Sequence, residues 1–294
     1  MTGMSINEGQ KAEEPIDSTT DNLLIERIAN LEYGQQFISR SVIETLASFV
    51  RLTAPVISKS PLIRIGENHD GGYVVSDAFE NKKAVSLGVG YEVSADLDLL
   101  ERGFSIIAAD GTVPNPFPEE PRYIFIAKNI GYSQNSMVTT KLVDILNNFG
   151  AKNNIDLLLI DVEGHEYSIL ENELSIASTA RQIVIEFHGL ELLGDAEFSN
   201  RIIRIISEIR ITHSPIHIHA NNAGGGINLG GAIWPTIVEV TFALNDLCQS
   251  KRNFGPFPTS LDFPNLNSRP DMDLTPFYGK SPNFAQLTKT ILGI

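Results

Sequence analysis

Four short segments of this sequence gather residue types that can do chemistry. In Ser86-Leu87-Gly88-Val89-Gly90-Tyr91-Glu92 two glycines follow an apolar run, and an acid, Asp110, closes the next apolar run 22 positions after Gly88. Glycines let the backbone approach a ligand at a helix N-terminus, and an acid at that spacing can accept both hydroxyls of a ribose. The run Leu157 to Ile160 ends abruptly in Asp161, Glu163, Gly164, His165 and Glu166, and the run Ile183 to Ile185 ends in Glu186, Phe187, His188 and Gly189. In His217-Ile218-His219-Ala220-Asn221-Asn222 the two histidines share a face if the segment is extended. Converging above one sheet, Asp161, Glu186 or His188, and His219 would supply a general base or ligands for a hard or borderline divalent metal. Each also has a plainer reading: glycine pairs end many strands for steric reasons, acids cap helices, and a lone histidine is usually a hydrogen-bonded structural residue.

The nucleotide follows from charge and bulk. A dinucleotide brings a pyrophosphate that wants a third glycine and no neighbouring carboxylate, whereas Glu92 and Val93 stand there. S-adenosylmethionine carries a sulfonium and an ammonium and no phosphate, so Glu92 beside the loop is tolerated or useful. Gly88, Gly90 and Asp110 are the expected contacts.

The elements that must position these residues read as alternating short apolar strands and helical stretches, the signature of a largely parallel sheet with crossover helices. Expected strands are 84–87, 105–109, 123–127, 157–160, 183–187, 216–219 and 237–242, with helical spacing over 95–102, 138–149, 166–171 and 198–209. They make one doubly wound domain over 62–248, opened by a hairpin or strand-loop-strand in LIRIGENHDGGYVV (62–75). Ahead of it, Leu24, Ile28, Leu31, Ile38, Val42, Leu46 and Phe49 give a helix over 21–55 one apolar stripe, interrupted by Gly34. That stripe packs on its own domain or pairs with a second copy, the route to a homo-oligomer. Residues 1–20 are polar and acidic and are expected to be a disordered tail. Residues 249–294, rich in Pro, Asn, Phe and Asp, are expected to form an extended flap packed on the domain, with Phe257, Phe263, Phe277 and Tyr278 either as apolar walls over an acceptor or as a wrap that covers core.

Composition bounds the partners. Of 294 residues, 42% are hydrophobic and 20% charged, a globular balance, and the formal net charge of −14 argues against nucleic acid and anionic membrane surfaces as partners. One cysteine, Cys248, excludes an internal disulfide and a multi-thiolate zinc site, which fits a reducing cytoplasm. No apolar run is long enough to cross a bilayer.

Taken together, the motifs resemble the FkbM-type S-adenosylmethionine-dependent methyltransferases, in the branch that includes methyltransferase-like protein 24. IDLLLIDVEGHEYSIL (155–170) is the most specific match, supported by DGGYVV (70–75), SLGVGYEVSADLDL (86–99), Asp110, VIEFHG (184–189), HIHANN (217–222) and LDFPN (261–265). The resemblance implies a class I methyltransferase (Rossmann-like) fold, α/β with a seven-stranded, mostly parallel sheet whose last strand is antiparallel. It implies methyl transfer to an oxygen of a small molecule or glycan. It also implies that Gly88, Gly90 and Asp110 hold the cofactor and that Asp161 and Glu163 stand at its reactive end. The sequence departs from many relatives in following Asp110 with Gly111-Thr112 in place of Glu-Pro or Asp-Pro. His188 and His219 are the expected bases, and Asp161 the orienting group or metal ligand. A nicotinamide-dependent oxidoreductase and a non-catalytic binding or assembly module are the alternatives.

Overall fold

The computed structural model describes residues 40–131, 139–148, 155–229 and 232–280. The expected tail over 1–20, the part of the first helix over 21–39, the two end residues of the helical stretch expected over 138–149 and the last part of the flap, 281–294, lie outside the described residues. Among the described residues no helix is long and apolar enough to cross a membrane.

Seven strands form the central sheet: β1 (Lys83–Leu87), β2 (Ser105–Ala109), β3 (Tyr123–Ile126), β4 (Leu157–Ile160), β5 (Gln182–Phe187), β6 (His213–Ala220) and β7 (Val238–Leu244). They lie in the order β6-β7-β5-β4-β1-β2-β3. β3, β2, β1, β4 and β5 run parallel, and β7 is antiparallel to both β5 and β6. This strand order, with its antiparallel insertion next to the edge, is that of a class I methyltransferase sheet. β4 and β5 are buried along their whole length, as strands covered on both faces must be, which is why they read as unbroken apolar runs. β6 starts three residues earlier than the periodicity indicates. Pro215 lies inside it, tolerated because β6 pairs with β7 alone in this sheet and the register shifts between Pro215 and His217.

One face of the sheet carries α1 (Arg40–Thr53), α3 (Leu142–Asn148), α4 (Glu166–Ala177) and α5 (Ala196–Thr212), packed on Leu158, Ile160, Ile183, Ile185 and Phe187. On α1 the apolar stripe meets its own domain: Phe49 stands edge-on to Phe187 at 6.2 Å and to Trp234 at 5.7 Å. α4 runs past its expected end at Glu171 through a kink at Glu173. The Glu173 carboxylate is buried there because it caps α3, accepting the Leu142 and Val143 N–H groups at 2.7 and 3.0 Å.

The other face carries α2 (Ser94–Glu101) and the hairpin Leu62–Ile65/Tyr73–Ser76. The hairpin is pinned to the sheet by polar contacts. Gln182 exchanges two hydrogen bonds with the Ser76 backbone, and the Thr241 hydroxyl donates to the Val74 carbonyl. The turn-rich sequence between its strands thereby delivers Asp70 and Tyr73 to the carboxyl ends of the parallel strands.

Candidate functional site

The registers place one row of chemistry across the sheet. His219 on β6 pairs with Glu239 on β7, and Glu239 pairs with Glu186 on β5. Ile185, Ile160, Leu87 and Ala109 are successive partners across β5, β4, β1 and β2. The residues one step further on, Glu186, Asp161, Gly88 and Asp110, therefore continue the same line at the carboxyl ends, where open α/β sheets bind ligands. The pairing persists past the strands, with Asp161 N–H donating to Leu87 O and Gly88 N–H donating to Ala109 O, both at 3.0 Å.

Above this row lies a cleft of about 610 Å³. Its described lining includes Gly88, Gly90, Glu92, Asp110, Asp161 and Glu163, all six of the residues expected to meet the cofactor. The glycine loop is built for close approach. Gly88 has φ +79°, and a Cβ there would sit 1.6 Å from the Asp161 carbonyl oxygen. Gly90 has φ +58° with nothing nearer than 4.0 Å to a built Cβ.

Asp110 closes β2 and ties the loop together. Its Oδ2 accepts the Gly90 N–H at 2.9 Å, and its Oδ1 accepts the Thr112 N–H and hydroxyl, each at 2.6 Å. Burial pushes its pKa up, but the Thr112 and Gly90 donors outweigh burial and hold it below the ordinary carboxylate value. The departure at Gly111-Thr112 is thus part of the acid's own support. A carboxylate has about four lone-pair sites, so these bonds leave room for another donor, and the Thr112 hydroxyl can rotate to free one more.

Two acids flank the loop. Glu92 Oε1 accepts the Ser94 N–H at 2.9 Å and so serves the start of α2 while facing the cleft. Asp96, which the sequence reading did not single out, also lines the cleft and is 3% exposed. Tyr123 donates to its Oδ2 at 2.7 Å, its Oδ1 has no partner, and burial raises its pKa to about 6.

Asp161 is not a helix cap. The N-cap of α4 is His165, without a side-chain capping bond, and Asp161 Oδ2 instead accepts the Tyr73 hydroxyl at 3.1 Å. The chain leaves β4 through two successive left-handed residues, Glu163 (φ 51°) and Gly164 (φ 92°). A non-glycine residue there is unusual and directs the exposed Glu163 side chain to the cleft rim, where its Oε2 lies 3.3 Å from His188 Nε2.

Behind Asp161 stand Glu186 and His188, and each of the three offers a ligand atom within 4.8 Å of the others. Glu186 Oε1 accepts from Asn221 Nδ2 at 2.5 Å, and its Oε2 lies 3.8 Å from His188 Nε2. Glu166, wholly buried, accepts the His188 backbone N–H at 2.8 Å, and its Oε1 lies 3.4 Å from His188 Nδ1. Burial and the neighbouring carboxylate push Glu186 well above its ordinary pKa, and burial likewise raises Asp161. For His188 burial works downward, but Glu166, Asp161 and Glu163 outweigh it and the pKa is raised.

His219 does not join this group. Its Nδ1 faces Glu239 Oε2 at 3.2 Å and its Nε2 faces Asp271 Oδ1 at 3.1 Å. Burial alone would lower its pKa, yet Glu239 and Asp271 raise it to about 10. Carboxylates at both ring nitrogens favour its imidazolium form, and the ring stands between Glu239 and Asp271 and not in its expected place beside Asp161. His217 does share its face and points at the flap, with Nε2 2.8 Å from Asp262 Oδ1.

The described part of the flap packs on the domain as expected, but its buried aromatic residues cover core and do not wall the cleft. Phe257 and Tyr278 are fully buried and Phe277 nearly so, packing with Trp234 in the core rather than walling the cleft. Phe263 lies under the Arg64 guanidinium at 5.3 Å. The flap's reach toward the cleft is polar: Asn265 Nδ2 donates to Glu239 Oε1 at 2.8 Å and to Asp70 Oδ1 at 3.0 Å, and Asp70 lines the cleft. Sequence reasoning had quoted DGGYVV and LDFPN without roles for Asp70, Tyr73 or Asn265. Alternation in Glu239-Val240-Thr241, matching that of His217 and His219, was the available signal for Glu239.

Residues 80–210 match the family model described as the methyltransferase FkbM domain, and this match does not separate one branch from another. No curated protein sequence matches the chain. Among solved structures, a chain of a fibrillarin/Nop5p complex is similar at 13% identity and TM-score 0.35, over 56% of this chain and 73% of that one. A putative RNA methyltransferase from Pyrococcus horikoshii is similar at 11% identity and TM-score 0.34, over 77% and 98%. The 1,6-didemethyltoxoflavin-N1-methyltransferase of Burkholderia thailandensis, with bound 1,6-didemethyltoxoflavin and S-adenosylhomocysteine, is similar at 10% identity and TM-score 0.31, over 79% and 93%. The fold assignment rests on the strand order of the sheet.

Proposed function

We propose that this chain, whose residues 80–210 match the methyltransferase FkbM domain, is a methyltransferase that uses S-adenosylmethionine to methylate a hydroxyl of an uncharged or cationic small molecule or sugar. One observation carries the reading. The described lining of the cleft includes six carboxylates, Asp70, Glu92, Asp96, Asp110, Asp161 and Glu163, and no Lys or Arg. That donor set suits a ligand with a sulfonium and an ammonium. It opposes the pyrophosphate of a nicotinamide dinucleotide, which would meet negative charge on every side. The same field, with a formal net charge of −14, opposes phosphorylated acceptors and nucleic acid.

The residues fit such a cofactor. Gly88 and Gly90 open the loop to close approach, Asp110 is held ionised to accept ribose hydroxyls, and Asp161 with Glu163 faces the methyl-bearing end. When bound, S-adenosylmethionine would supply an activated methyl group whose sulfur can leave with the C–S electron pair. The chain then has to align the acceptor, exclude water and take the hydroxyl proton. Asp161, on the cleft wall and fixed by the Tyr73 hydroxyl, is the group placed to receive it. His188, with Glu163 and Glu166 at its two ring nitrogens, orients the wall behind. His219 holds the flap through Asp271 and supports Glu239, a positioning part.

The test is transfer of a labelled methyl group from S-adenosylmethionine to a panel of neutral glycosides, amino sugars and their phosphorylated counterparts. Labelling of neutral or amino members, lost in Asp161→Asn, supports the reading. Labelling confined to phosphorylated members, or none with any hydroxyl acceptor, overturns it.

A further inference from the structure

Asp161, half-buried on the cleft wall, and Glu186, buried behind it, put two carboxylates side by side, and among the described residues no Lys or Arg lines the cleft beside them. Tyr73 and Asn221 each donate one hydrogen bond to the pair, but neither brings positive charge. A cationic partner beside the pair is the His188 ring, 3.8 Å from Glu186 Oε2, and a divalent ion displacing the ring's proton would supply the positive charge that the pair otherwise draws from it.

The third donor is an imidazole, which makes the set more than an acidic cluster. His188 Nε2 lies 3.8 Å from Glu186 Oε2. Metal bonds of roughly 2.0–2.2 Å span donor pairs up to about 4.2 Å apart, so this pair can share one ion without moving. At the ring's other end stands Glu166, wholly buried, its Oε1 3.4 Å from Nδ1 and its Oε2 without any hydrogen-bond partner. His188 Nδ1 and Glu166 Oε2 both lack a hydrogen-bond partner, and closing the 3.4 Å gap between ring and carboxylate would give the outer-shell arrangement that fixes the ring and turns Nε2 to a metal. Asn221 does the same for Glu186 by occupying Oε1 and leaving Oε2 toward the histidine.

We propose that Asp161, Glu186 and His188 form a binding site for one divalent transition-metal ion, such as Mn²⁺ or Zn²⁺, whose remaining positions open on the cleft. Two carboxylates and one neutral imidazole balance the charge of such an ion, and the nitrogen donor favours it over Ca²⁺. Because Asp161 lines the cleft, an acceptor hydroxyl could reach the ion there and be acidified. That role rests on the methyl-transfer reading above; the binding itself does not.

The test uses the full chain stripped with chelator and titrated with Mn²⁺, following the paramagnetic signal of free ion. S-adenosylhomocysteine binding is measured on the same preparations. One Mn²⁺ per chain with micromolar affinity is expected, weakened at least tenfold in Glu186→Gln and in His188→Gln and competed by Zn²⁺. Glu186→Gln keeps the side-chain shape and an oxygen for Asn221, so it decides the matter if His188→Gln fails to fold. No stoichiometric Mn²⁺ or Zn²⁺ binding, or affinity unchanged in folded Glu186→Gln, overturns the site. Cofactor binding without metal binding removes this proposal alone, and metal binding without cofactor binding removes the functional reading while the site stands.

Discussion

Gly88 and Asp161 face each other across β1 and β4 so closely that a single added carbon at Gly88 would lie 1.6 Å from the Asp161 carbonyl oxygen. The cofactor loop and the residue at the reactive end of the cleft are therefore one packed unit. Gly88→Ala is expected to destabilise the protein by about 3 kcal/mol or more, because backbone cannot give way and φ is positive. Thermal unfolding checks it, and a variant melting with the parent would mean the two strand ends move independently.

Asp110 links that loop to β2. Asp110→Asn keeps an oxygen for Gly90 or Thr112 but loses the charge, and it is expected to weaken S-adenosylhomocysteine about tenfold, roughly 1.4 kcal/mol, with little change in melting temperature. Calorimetry on the two proteins measures this, and equal affinities would remove the ribose role.

His219 supplies a pH signature. Its folded pKa of about 10 lies above its ordinary value, so its contribution to stability is complete below about pH 6.5 and is lost as pH rises toward 10. His219→Gln leaves the buried Glu239 and the half-buried Asp271 without their cation, an expected loss of about 3 kcal/mol at pH 7. Urea unfolding of both proteins at pH 7 and pH 10 should show that gap closing at the higher pH. A gap that stays constant would mean the imidazole is neutral, and would return it to the list of candidate bases.

Asp96 gives the opposite kind of variant. With its pKa raised to about 6 and one oxygen unpartnered, it favours the folded state when protonated and loses that contribution as pH rises through 6. Asp96→Asn is expected to stabilise the free protein by about 1 kcal/mol at pH 8 and by nothing measurable at pH 3.5, below the ordinary aspartate value. Denaturation midpoints at the two pH values check this, and a loss of stability at pH 8 would show that the charge is needed.

The sheet was legible because its central strands are buried on both faces and so appear as continuous apolar runs ending in Gly88, Asp110, Asp161 and Glu186. What the sequence hid is long-range. The meaning of His219 depends on Glu239 and on Asp271, which lies 52 residues further along the chain. Phe257, Phe277 and Tyr278 in a proline-rich stretch look like a mobile apolar lid, yet they complete the core against Phe49 and Trp234. Pro215 concealed the start of β6, because edge pairing tolerates what a central strand does not.

The most direct measurement of the central claim is calorimetric titration of the purified protein with S-adenosylhomocysteine and, separately, with NAD⁺. A carboxylate-lined cleft behind Gly88 and Gly90 predicts micromolar binding of the first and none of the second. Binding of NAD⁺, or of neither, would contradict it.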